Sequence, residues 1–249
     1  MSISTTDAAR RVAGLAHKIR TKGLGGAYCA VVRRIPPWEE WTRDRYFDWK
    51  FGISTAGEIP SEGLDSPSAD YHHSAPSYYG SVHKSLDALP LRAGCDVLVD
   101  FGSGKGRVLV VAARYPFRKI IGVECAGQLT DVAWQNITRA RRWMQCQDID
   151  IVTTNAAGYD IPDAATVLYF QNPFSGDVVD AVLTRIKASL ARAPRTISLI
   201  SYSHDPAYRF EQQIRACDWL RLVTEVRLQR GTRAWIYANT EGSAGRISE

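Results

Sequence analysis

Asp100-Phe101-Gly102-Ser103-Gly104-Lys105-Gly106-Arg107 joins the apolar run Val97-Leu-Val to the apolar run Val108-Leu-Val-Val-Ala112. Three glycines at alternate positions predict a tight turn, because glycine adopts conformations closed to other residues and lets a ligand approach the backbone. The preceding run, Cys95–Phe101, reads as a strand buried on both faces. The following one, Gly106–Arg114, reads as a helix whose first amides and positive dipole end suit an anion or carboxylate. A second short apolar strand, Lys119–Glu124, ends in an acid 24 residues beyond Asp100. An acid at that strand end can accept both hydroxyls of a ribose.

Working outward, the same alternation continues. Ser81–Leu89 reads as a helix leading into the first strand, and Leu129–Met144 as a helix after the second. Strands are expected at Ile149–Thr153, Thr166–Gln171 and Thr196–Tyr202, with a helix at Val178–Leu190. Alternating strands and helices predict an α/β fold, a Rossmann-like doubly wound sheet that is mostly parallel. The last two strands, Leu220–Leu228 and Arg233–Ala238, are joined only by Gln229-Arg-Gly-Thr232, so they must pair as an antiparallel hairpin. Upstream, residues 1–52 form a helical N-terminal extension that serves as a substrate lid or packing arm. It is broken near Gly23–Gly26 and again at Pro36-Pro37. The stretch Trp38 to Trp49 is dense in aromatic and charged residues, a composition that packs an extension onto a domain. Residues 53–77, rich in Ser, Gly, Pro and Asp, read as a loop or lid, 78–239 as the main domain, and 240–249 as a disordered tail.

Composition narrows the class of protein. With 45% apolar and 23% charged residues, the 249-residue chain falls in the globular range, long enough for a sizeable core. No run reaches the roughly 18–20 apolar residues that span a membrane. Five scattered cysteines with no C-x-x-C pair point to reduced thiols in a cytoplasmic protein, without a disulfide framework or zinc cluster. His72-His73 reads as loop histidines rather than a metal site. The net charge of +5 is uneven: residues 1–34 hold seven Lys/Arg against Asp7, leaving the remainder near neutral. Such a basic arm can touch nucleic acid, acidic protein or lipid headgroups, or be a solvated helix face. A near-neutral body speaks against a nucleic-acid partner.

A dinucleotide fold shares this outline, but its fingerprint is G-x-G-x-x-G, whereas this loop is G-x-G-x-G with an acid two residues ahead. The D-x-G-x-G-x-G loop, the acid closing the second strand and the terminal hairpin together resemble class I S-adenosylmethionine-dependent methyltransferases over roughly residues 71–238. The chain is also similar to a group of uncharacterised bacterial methyltransferases. The shared features there are Tyr46-Phe-Asp48, Phe51-Gly, Thr55-Ala-Gly57, Pro116-Phe117 and Asn172-Pro-Phe174. The resemblance implies S-adenosyl-L-methionine as cofactor. Asp100, Phe101, Gly102, Ser103, Gly104 and Gly106 would face its methionine moiety, and Glu124 its ribose. Asn155 stands where many members carry an Asp on the adenine amine. Tyr71, Ser74, Ser77 and Tyr79 lie where relatives close over the cofactor carboxylate, and for Tyr79 core packing is the equal alternative.

Asn172-Pro173-Phe174, at the end of the fourth strand, is similar to the N-P-P-aromatic box of amino-group methyltransferases, with one proline missing. The side chain of Asn172 and the carbonyl of Pro173 can accept hydrogen bonds from an N–H, and Phe174 can stack on a planar group or attract a cation. A strand exit built from turn formers is the plainer account. His204, after the fifth strand, is the candidate base, since a histidine titrates near neutrality. The expected acceptor is a small molecule methylated on N or O. A protein lysine or amine is the alternative, because Tyr78-Tyr79-Gly80-Ser81 looks distantly like the histone lysine methyltransferases that lack a SET domain. A non-catalytic cofactor-binding scaffold is the remaining class.

Overall fold

The computed structural model describes residues 38–57, 76–174, 176–203 and 209–239. The expectations for the basic arm, Tyr71, His72, His73, Ser74, His204 and the tail fall outside them. No helix among the described residues is long and apolar enough to cross a membrane.

Seven strands form one sheet: β1 (Val97–Phe101), β2 (Lys119–Glu124), β3 (Ile149–Thr153), β4 (Ala165–Phe170), β5 (Ser198–Ser203), β6 (Leu220–Arg227) and β7 (Arg233–Asn239). Their spatial order is β3-β2-β1-β4-β5-β7-β6. The first five run parallel, and β7 lies antiparallel between β5 and β6. The expected mostly parallel sheet with a terminal hairpin is therefore present. Chain order reverses between β1 and β4, and in doubly wound sheets such a switch point opens a crevice at the carboxyl ends of the strands. The glycine loop leaves β1 at that point.

Strand alternation sorts the core into two layers. Leu98, Ile120, Val167 and Ile200 face one side, beneath helices α1 (Trp38–Phe51), α2 (Tyr79–Asp87), α3 (Arg107–Ala112) and α4 (Gly127–Ala140). Val99, Phe101, Leu168 and Phe170 face the other, packed against α5 (Asp177–Arg192) and α6 (Arg209–Arg215). All five β1 residues are buried, as the Val-Leu-Val run requires. Phe101 and Phe170, paired across β1 and β4, stack with centroids 4.6 Å apart.

Two helices depart from the sequence reading for identifiable reasons. Helix α2 begins at Tyr79 rather than Ser81, and its N-cap position, Tyr78, makes no capping hydrogen bond. Its first amide, Tyr79 N–H, donates instead to Asp44 Oδ1 of α1 at 3.2 Å. A cap supplied from 35 residues away leaves no local signature. Helix α6 has no counterpart in the sequence reading: its seven residues hold just under two turns, too few for a periodic pattern to stand out.

Candidate functional site

The loop between β1 and α3 turns through three glycines with positive φ: Gly102 (74°), Gly104 (53°) and Gly106 (81°). Gly102 also has no room for a side chain, since a Cβ there would stand 2.5 Å from Pro173 Cβ. On β2, the absence of a side chain at Gly122 accommodates Ser103, whose Oγ would lie 2.7 Å from a Cβ.

The loop amides are largely committed within the protein. Gly102 and Ser103 N–H donate to the Val123 carbonyl, and Gly106 N–H to that of Ser103. Gly104 N–H donates to Glu124 Oε2 at 2.9 Å, while Glu124 Oε1 accepts Ala126 N–H at 3.0 Å. The amides of Gly102, Ser103, Gly104 and Gly106 are thus engaged within the protein, and α3, whose first amides were the expected anion site, is only six residues long. Side-chain polar groups are left over instead: acceptors at Asp100 and Asn172, hydroxyls that can donate or accept, and one donor, Arg107 Nη2. Asp100 Oδ2, Ser103 Oγ, Asn172 Oδ1, Ser77 Oγ and the Tyr169 hydroxyl are all buried without a hydrogen-bond partner. Asp100 pairs in register with Tyr169 of β4 and Gly122 of β2, which places it at the centre of the switch point. Burial pushes its carboxyl well above the usual carboxylate range, and the nearby Glu124 charge adds to the effect. A buried, unpartnered acceptor is costly unless a ligand completes it.

Asn172 is the only residue other than glycine with a positive φ (48°) among those described. Asn tolerates this left-handed conformation better than most residues. The bend holds Pro173 against Gly102 and directs the Asn172 side chain inward, where its Oδ1 is buried. Phe174 departs from expectation: it is buried in the core on the opposite layer, edge-on to Phe170 and Phe210. Those neighbours take up the ring and give it a packing role.

Tyr79 is also fully buried, its hydroxyl donating to Asp48 Oδ1 at 2.8 Å, which fits the core-packing alternative. Asn155 is exposed at the end of β3, and its Oδ1 accepts Ala157 N–H at 2.8 Å, capping a short 3-10 turn at Ala156–Gly158.

Beneath the loop lies a network that sequence reasoning did not find. Arg107 is buried, donating through Nη1 to Asp44 Oδ2 (2.5 Å) and the Ser77 carbonyl (2.7 Å), and through Nε to Thr55 Oγ1 (2.7 Å). Its guanidinium lies 4.5 Å from the centroid of the Tyr79 ring. Asp48 accepts from the Thr55 amide and hydroxyl and from Ala56 N–H. Lys105 Nζ reaches the carbonyls of Ala56 and Gly57, and Asn136 Nδ2 bridges those of Ser54 and Lys105. The second half of α1 and residues 53–57 are thereby bound to the glycine loop. The Tyr46-Phe-Asp48 and Thr55-Ala-Gly57 patterns were the available signal, without a hint of which residues they met.

The amino-acid sequence matches no protein-family model and no curated protein sequence. Among solved structures, the chain is similar to an RNA methyltransferase from Salinibacter ruber determined with S-adenosyl-L-homocysteine. That likeness has 20% identity and a TM-score of 0.50, over 70% of this chain and 100% of that one. It is also similar to a ribosomal protein L11 methylase from Lactobacillus delbrueckii subsp. bulgaricus (12% identity, TM-score 0.49, 66% and 80% covered). A third is TrmN from Thermus thermophilus (13% identity, TM-score 0.47), where 64% of this chain spans 47% of that one. The likeness is one of fold: the seven-stranded sheet of the class I S-adenosylmethionine-dependent methyltransferases.

Proposed function

We propose that the chain is an S-adenosylmethionine-dependent methyltransferase acting on an N–H or O–H acceptor. The observation that carries this reading is the polarity of the switch-point crevice. It offers buried acceptors at Asp100 and Asn172 while the loop amides of Gly102, Ser103, Gly104 and Gly106 are already engaged. A pyrophosphate needs donors, so a dinucleotide fits poorly. A ligand that brings cationic and N–H donors fits well, because it would complete the groups left without partners.

On this reading Asp100 binds the ammonium of the cofactor's methionine moiety. Glu124 would receive a ribose hydroxyl on Oε2, which has used one lone pair on Gly104 N–H, while Oε1 already takes Ala126 N–H and the Cys125 thiol. When bound, the cofactor supplies an electrophilic methyl group on a sulfonium. Asn172 Oδ1 and the Pro173 carbonyl would accept hydrogen bonds from two N–H groups of the acceptor and hold its lone pair in line. As the N–CH3 bond forms, S-adenosylhomocysteine leaves as the neutral thioether and the surplus N–H proton passes to solvent on release. The gain is chiefly one of orientation. Burial of the crevice excludes water from that line.

The test is titration calorimetry with S-adenosylmethionine, S-adenosylhomocysteine and NAD on the wild type and on Asp100→Asn. Micromolar binding of the first two, none of NAD, and at least tenfold weakening in the variant are expected. NAD binding without either methionine ligand would overturn the reading.

A further inference from the structure

We propose that the face formed by α1 and the end of α4 is a docking track for single-stranded RNA, which would make RNA the acceptor-bearing partner; this rests on the methyltransferase reading above. Trp49 is 77% exposed and Tyr46 51%, with ring centroids 5.9 Å apart. Phe47 lies edge-on to Tyr46 and stacks on Phe51, and Phe51 meets Trp143, which is 41% exposed, at 6.0 Å. Five aromatic rings therefore form one continuous row that ends in exposed indoles.

Cations flank the row. Trp143 closes the run Arg139-Ala-Arg-Arg142-Trp143, and the Arg142 guanidinium lies 4.8 Å from its ring centroid. Arg114 lies 5.6 Å from the Phe51 centroid. Among the described residues, Lys50, Arg114, Arg139 and Arg142 make no ion pair. Among the described side chains, Asp44 and Asp48 turn inward to Arg107, and Asp148 holds Lys119. A body near neutral overall thus carries a segregated basic face.

Exposed flat rings interleaved with unpaired guanidiniums match bases that stack and phosphates that need countercharge. A duplex hides its bases from such rings, whereas RNA presents unpaired bases in loops and ends. An acidic peptide would satisfy the arginines and leave the indoles bare. The track is also joined to the glycine loop: Asn136, which bridges Ser54 and Lys105, lies on α4, and the 3-10 turn Arg141–Trp143 follows directly on that helix's last residue, Ala140.

Fluorescence anisotropy of a labelled 12-nucleotide oligouridine, read beside calorimetric S-adenosylmethionine binding, tests the proposal. The log–log salt slope is expected near about −3, from four cations at about 0.7 each. Trp49→Ala and Trp143→Ala should each weaken RNA at least about fivefold, and Arg142→Gln should lower the slope by about 0.7. Cofactor affinity should stay within error for all three variants, and melting temperature for Trp49→Ala; Trp143→Ala, whose ring is 41% exposed and packs on Phe51, should also lower the melting temperature. Cofactor binding without RNA binding overturns the track alone, whereas RNA binding without cofactor binding overturns the methyltransferase reading alone. RNA affinity untouched by the two tryptophan variants, equal binding of a duplex, or full displacement by equimolar polyglutamate would each refute the track.

Discussion

Replacing Gly102 with alanine probes the contact on which the crevice is built. The residue sits at φ 74°, where a side chain costs about 1–2 kcal/mol. Its new Cβ would stand 2.5 Å from Pro173 Cβ and 3.5 Å from Pro173 Cα, atoms that no flexible side chain can carry away. Overpacking of this kind costs about 1–3 kcal/mol more. The sum is about 2–5 kcal/mol. Gly52→Ala is the matched control, with φ 69° and nothing within 4 Å of its added Cβ, so it bears the backbone cost only. Urea unfolding followed by tryptophan fluorescence reads both, with Trp235 in the core as a reporter. The expected gap between the variants is about 1–3 kcal/mol, at unchanged m. Addition of Pro173→Gly should recover at least about 1 kcal/mol of it, since the clashing atom is gone. If Gly102→Ala and Gly52→Ala agree within about 0.5 kcal/mol, the packing of the Asn172-Pro173 bend on the loop is wrong.

Other outcomes follow from the same geometry. Asp100→Asn should leave stability unchanged or raise it, because it removes a buried unpartnered carboxyl, while cofactor affinity falls at least tenfold; a loss of fold would refute this. Because the Asp100 pKa is raised in the free protein, its contribution to stability is present below the unfolded value and is lost as pH rises through the raised one. Cofactor binding, which favours the charged form, should therefore release protons, giving calorimetric enthalpies that differ between buffers of different ionisation heat. Arg107→Met leaves Asp44 and Asp48 without their cation and should cost about 3–5 kcal/mol, measured as a lower urea midpoint. Burial and the adjacent Glu124 push the Cys125 thiol up to about 12, so iodoacetamide at pH 8 should alkylate the exposed Cys95 before Cys125, as read by peptide mass spectrometry.

The parallel sheet and the glycine loop were legible because their determinants are local. The alternating glycines between two apolar runs mark a turn, and short apolar runs that alternate with helical patterns read as buried strands. Glu124 was readable for the same reason, since a βα unit fixes the distance from one strand end to the next. The burial of Phe174 was not legible, and for Tyr79 the sequence left core packing as one of two readings. Phe174 is claimed by Phe210, on a helix that has no sequence signal of its own, and the Tyr79 hydroxyl by Asp48, 31 residues upstream. The network that joins α1 to the loop through Arg107 spans 63 residues between its ends. Contacts of that separation are set by tertiary packing, which composition and periodicity do not encode.

The place of β7 in the sheet bears on how the chain is made. Synthesis delivers β5, then β6, then β7, yet the finished sheet has β7 between the other two. For the thirty or so residues between the end of β5 and the start of β7, the β5 edge has no partner. At ordinary elongation rates that interval is about 2–6 s, when an unpaired edge is open to other nascent chains. β6 emerges within this window but makes a poor substitute. Its Arg221, Thr224 and Glu225 are exposed in the final sheet and would be buried beside β5. Ala234, Trp235, Ile236 and Tyr237 of β7 are buried and suit both faces of an interior strand. Strand polarity thus keeps the wrong neighbour out until the right one arrives, and a charge introduced at Ile236 would remove that discrimination and leave the nascent domain prone to aggregation.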